Sequence, residues 1–92
     1  MREENLIKVL KKNGNFYEVT VTKDLTTTHK VELSQKFYNV LTGSKVSEIE
    51  LVIKSFEFLL QRESNEAILS EFNLELIESY FPEYPTLIKT YF

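Results

Sequence analysis

This 92-residue chain has no cysteine, two glycines, two prolines and a single histidine. Without cysteine there can be no disulfide scaffold and no thiolate metal site, which fits a reducing compartment. With Gly14 and Gly43 as the only glycines, no phosphate-cradling loop of the Walker or dinucleotide type can be written. No apolar run approaches the roughly 18 residues that a membrane-spanning helix needs. Met1–Asn5 lacks the apolar segment and small-residue cleavage site of a secretory leader. The expectation is a cytoplasmic protein without a membrane segment.

What the chain does contain is bulk. Seven Phe, five Tyr and an apolar fraction of 42% supply a core for one domain spanning residues 1–92. A chain of this size buries roughly 60–65% of the surface its unfolded form exposes, and its stability is of the order of 5–8 kcal/mol. Charge is divided. Residues 1–46 are net +3 and residues 47–92 net −6, giving −3 in all. An acidic half of this kind either forms solvated helix faces or meets a basic partner.

The chain is organised around S-E-I-E-L-V-I-K-S-F-E-F-L-L-Q-R-E, residues 47–63. Ile49, Val52, Ile53, Phe56, Leu59 and Leu60 recur at helical spacing, and Ser47 with Glu50 makes a capping box at its start. Leu51 and Phe58 lie off that stripe, so the helix is expected to be covered on more than one side. Upstream, Leu6–Lys12 reads as a strand, Asn13-Gly14 as a hairpin turn of type I′, and Phe16–Thr22 as a second strand with Tyr17, Val19 and Val21 inward. A two-residue loop would add Leu6 and Leu10 to that inner face; a three-residue loop with a bulge at Gly14 would add Ile7 and Val9. A turn at residues 23–26 leads to a third strand, Thr27–Leu33, with His29, Val31 and Leu33 on one side and Thr28, Lys30 and Glu32 on the other. Ser34 or a neighbour caps a helix over 35–42 that Gly43 ends. Beyond residue 63, a helical turn over 66–71 carries Ile68, Leu69 and Phe72. Asn73 caps a helix over 74–80, with Phe72 and Ile77 as a hydrophobic staple, and Pro85 opens a last helix through Thr90. The fold class is α+β: a three-stranded antiparallel meander packed against one long central helix, with several short helices.

Chemistry is sparse. His29 has no cysteine to share a metal and reads as a polar or half-buried strand residue. The helix carboxylates look solvated, whereas acid–base catalysis needs one in a setting that raises its pKa. No cofactor and no catalytic residue is assigned, and the chain is read as a non-enzyme. Arg62 and Glu63, at the end of the long helix, and the aromatics Tyr80, Phe81 and Tyr84 are the candidate contacts for a partner. That partner is an unidentified protein or a second copy of the chain. The competing reading makes Arg62 a helix cap or the partner of Glu66 or Glu71, and the aromatics core closure.

Two likenesses bear on function. The runs F-E-F-L-L-Q-R-E (56–63), I-L-S-E-F-N-L-E-L-I (68–77) and Y-F-P-E-Y (80–84) resemble a group of short prokaryotic proteins without an assigned function. That resemblance implies a compact cytoplasmic protein and carries over no catalytic residue. The order H-K-V-E-L (29–33), a helix over 35–42, then G-S-K-V-S-E-I-E-L-V-I-K-S-F-E-F-L-L (43–60) is similar in architecture to ribbon-helix-helix regulators and antitoxins. In that family two chains pair one strand each and outward strand residues enter the major groove; here these would be Thr28, Lys30 and Glu32. The chain departs from the pattern in its acidic second half, in Glu32 facing phosphate, and in strand 16–22 competing for the pairing edge. Nucleic acid is accordingly disfavoured as a partner, because DNA affinity rests largely on neutralised phosphates.

Overall fold

The computed structural model describes residues 6–92; the reading made of Met1–Asn5 lies outside them. The first three strands are β1 (Leu6–Lys11), β2 (Phe16–Thr22) and β3 (Thr26–Glu32), joined as antiparallel neighbours. In the first hairpin Gly14 takes φ +62°, while Asn13 and Asn15 do not adopt positive φ. The type I′ turn expected here needs two such residues; the glycine alone makes the bend, with the Phe16 amide donating to the Asn13 carbonyl at 3.2 Å. The strands pair Lys11 with Tyr17 and Val9 with Val19. This register leaves one extra residue on the β1 side of the turn. The bulged alternative is therefore the one adopted, placing Ile7 and Val9 beside Val19 and Val21 and leaving Leu6 and Leu10 exposed.

Helix α1 (Gln35–Thr42) begins where the Ser34 hydroxyl accepts from the Phe37 amide at 3.1 Å and ends at Gly43, whose φ of +60° suits a residue without Cβ. Helix α2 (Glu48–Leu60) begins where the Ser47 hydroxyl accepts from the Glu50 amide at 3.0 Å. Glu50 itself leans toward Lys54, at 3.9 Å, as one of two exposed pairs of little energetic weight. The burial of α2 is two-sided, as the off-stripe residues imply. Phe56 meets the His29 ring of the sheet at 5.4 Å. Phe58 meets Phe81, Tyr84 and Tyr91 of the C-terminal segment. The sheet, α2 and the C-terminal segment thus form three layers. Ile49, counted in the stripe, is turned outward because the stripe's centre lies nearer Ser55.

Downstream of α2 the structure corrects the sequence reading. Of residues 66–71, expected to form a helical turn, only Glu66 and Ala67 are helical. A 3-10 turn, Asn65–Ala67, leads into β4 (Glu71–Asn73), which pairs parallel to β3, with Val31 opposite Phe72. The sheet is consequently four-stranded and mixed, in the order β1-β2-β3-β4, rather than a three-stranded meander. The physical reason is non-local: the far edge of β3 presents backbone groups that need partners. The Lys30 amide donates to Ser70 at 2.7 Å and the Leu74 amide to Glu32 at 2.8 Å. Helix α3 runs over Leu76–Tyr80, starting later than residue 74 because the Asn73 side chain turns the chain first, accepting from the Glu75 amide at 2.9 Å. Helix α4 (Tyr84–Leu87) has Pro85 in its first turn and passes into a 3-10 segment, Ile88–Tyr91. No helix among the described residues is long and apolar enough to cross a membrane.

Candidate functional site

The segment between α2 and α3 is tied to the sheet by a buried polar chain. Asn65, fully buried, donates through Nδ2 to the Leu25 carbonyl at 2.9 Å and to Thr27 Oγ1 at 3.1 Å. Thr27 Oγ1 lies 2.8 Å from His29 Nε2, and His29 Nδ1 lies 2.7 Å from the Leu69 carbonyl. A carbonyl only accepts, so the hydrogen-bond pattern assigns the proton to Nδ1. Nε2 then takes the hydroxyl hydrogen of Thr27. Every buried side-chain nitrogen and oxygen among the described residues has a hydrogen-bond partner. His29 is buried rather than half-buried, and its role is to hold a backbone carbonyl 40 residues away in sequence.

Leu69 faces both ways from this point. Its carbonyl is held inward by His29, while its side chain is 46% exposed at the mouth of a cleft of about 370 Å³. The floor of the cleft is Leu59 of α2, Ile68, and Ile77 of α3, all buried. Phe72 of β4, Leu76 of α3 and Phe81 form half-buried walls, and Tyr80, 64% exposed, stands at the rim with Leu69. Glu63, just past the end of α2, is the one carboxylate in the lining. Burial raises its pKa above the ordinary carboxylate value, since the apolar walls penalise its charged form.

Of the partner-contact candidates, the cleft brings together Glu63, Tyr80 and Phe81 and leaves out the other two. Arg62 is occupied by the protein's own structure. Its guanidinium lies 3.7 Å from the Phe58 ring centroid, donates to the Phe58 carbonyl at 3.0 Å and pairs with Glu83 at 3.4 Å. It caps α2 as the competing reading held, with Glu83 in place of Glu66 or Glu71. Tyr84 is fully buried, its hydroxyl 2.7 Å from that of Ser55, so it closes the core and meets no partner. Burial pushes its phenol pKa upward, the Ser55 hydrogen bond opposing in part.

Thr28, Lys30 and Glu32 do lie on the outer face of β3, but β3 is an interior strand with β2 on one edge and β4 on the other. The edge that a two-chain ribbon would use is filled, and the Lys30 ammonium sits 4.6 Å from the Phe16 ring centroid. Sequence reasoning missed Leu69, Phe72 and Leu76 as cleft residues, because helical spacing places the first two on a short helical turn. A signal was present. Residues 63–88 hold six glutamates and not one lysine or arginine. No family model matches the chain, and no curated protein or solved structure matches it significantly.

Proposed function

We propose that this chain is a small, non-catalytic cytoplasmic module that regulates or assembles with another protein by docking it in the cleft between α2, β4 and α3. The observation that carries this reading is the pairing of a fixed apolar floor with exposed Leu69 and Tyr80 at the mouth. An apolar concavity with few polar groups is the usual form of a recognition site. Among the described residues its ionisable lining groups are Glu63 and Tyr80, with no base, nucleophile or second carboxylate beside them to share a proton or attack a substrate. A large aromatic at the rim of an apolar depression is the sort of anchor that dominates protein–protein recognition.

Photo-crosslinking in the native cells tests this reading. Benzoylphenylalanine in place of Tyr80 is expected to capture one discrete protein. The same residue in place of Leu10, exposed on β1 at the opposite end of the sheet from β4, is expected to capture none. Leu69→Asp should abolish the Tyr80 adduct. No adduct from Tyr80, or the same adducts from both positions, overturns the proposal.

A further inference from the structure

The geometry points to a short cationic amphipathic peptide segment as the occupant of the cleft: its apolar side chains fill the depression and a Lys or Arg meets Glu63. This deepens the docking reading above and rests on it. Charge complementarity carries the inference. The stretch that forms most of the cleft, residues 63–81, contributes Glu63, Glu66, Glu71, Glu75 and Glu78 and no cation. The adjacent Arg62 is spent on Phe58 and Glu83. Glu63 has no ion pair or hydrogen bond to its carboxylate among the described residues, whereas the neighbouring Asn65 Nδ2 and both ring nitrogens of His29 are partnered.

A carboxylate among apolar walls gains little from a neutral apolar ligand, which would remove more of its water and give nothing back. It gains most from a ligand that brings its own cation, because a charge-assisted hydrogen bond is stronger in a water-poor site. In the stretch that carries the cleft, Glu66, Glu71, Glu75 and Glu78 are all exposed, and their summed charge favours the approach of such a segment and repels an acidic one. An anionic lipid surface or nucleic acid is disfavoured by the same field.

The test uses the full chain and three synthetic peptides of about 14 residues. Each has leucine at helical spacing, with the polar positions all Lys, all Gln or all Glu. Amide chemical shifts locate binding and titration gives affinity. The Lys peptide is expected to shift amides around Glu63, Leu69 and Leu76. The Gln peptide should bind there about tenfold more weakly and the Glu peptide not at all. Glu63→Gln should weaken the Lys peptide about tenfold, the scale of a hydrogen bond to a charged group, and leave the Gln peptide unchanged.

Equal affinity of wild type for the Lys and Gln peptides, or no effect of Glu63→Gln on the Lys peptide, overturns the cationic inference while the docking function stands. Shifts centred elsewhere overturn it as well. Loss of the Tyr80 adduct assay, by contrast, removes the docking function itself. An unchanged amide spectrum of the unliganded Glu63→Gln protein shows that the variant is folded.

Discussion

His29 and Glu63 flank the same short segment and are treated in opposite ways. His29 is buried with both ring nitrogens partnered, so it fastens residues 65–69 to the sheet. Glu63, two residues before that segment, borders the apolar walls with its pKa raised and its carboxylate unmet among the described residues. A polar group that is satisfied internally specifies structure; one held partly dry and unsatisfied costs stability and is kept where something else can meet it. The contrast separates the part of this junction that builds the fold from the part that faces outward, and Leu69 belongs to both.

The hardest way to break the contrast is to unfasten the satisfied side. Asn65→Leu keeps the volume but strips the donor from Thr27 Oγ1 and from the Leu25 carbonyl, which retains only the Lys23 amide at 3.1 Å. The expected loss is about 2–3 kcal/mol, the penalty range for buried acceptors left short of a donor. It is read as a lower urea midpoint at constant slope. His29→Phe should cost less, about 1–2 kcal/mol, because the Leu69 carbonyl it abandons lies on an exposed residue that water can reach. Its second signature is weaker peptide binding although His29 does not line the cleft.

On the outward side the stability effects should nearly vanish. Leu69→Ser and Tyr80→Ser remove exposed side chains and are expected to move stability by no more than about 0.5 kcal/mol, while Leu69→Ser abolishes the capture by benzoylphenylalanine at position 80. A stability loss as large as that of Asn65→Leu would show that the cleft walls are core after all. Glu63→Gln gives the smallest effect and a sign. A carboxyl whose folded pKa is raised favours the folded state at acid pH, and that contribution is lost as pH rises through the folded pKa. The Gln variant should therefore gain stability relative to wild type at pH 7 and show no gain near pH 3, below the ordinary glutamate range. Urea midpoints at the two pH values decide it; a loss at pH 7 instead would mean that Glu63 has a partner in the fold that favours its charged form.

The sequence was most legible where short-range chemistry decides. Gly14 and the alternation of residues 16–22 define a hairpin without help from the rest of the chain. Ser34, Gly43 and Ser47 mark helix ends by bonds that span three or four residues. The apolar surplus of α2 announced burial on two sides. What could not be read is β4. Ile68, Leu69 and Phe72 satisfy a helical spacing, and only the empty edge of β3, set by residues 40 positions earlier, makes that stretch extended. The cleft followed β4 out of sight, since its walls exist because 68–71 is not helical. Glu63, Tyr80 and Phe81 were singled out from their positions at a helix end and beside Pro82. Tyr84, from the same aromatic run, proved to be core because a hydroxyl on α2, Ser55, reaches it.

The parallel pairing of β4 with β3 also fixes an order of assembly. The N-terminal hairpins close over short spans and can form while the chain is still being made. The β3–β4 register waits until residues 33–70 have been laid down and packed, a long loop with a correspondingly slow closure. As three residues at a sheet edge, β4 is also the natural place for the molecule to open locally without unfolding. The cleft beside β4 is consequently the last region to be completed and the first to be surrendered, so that its presence reports a finished fold.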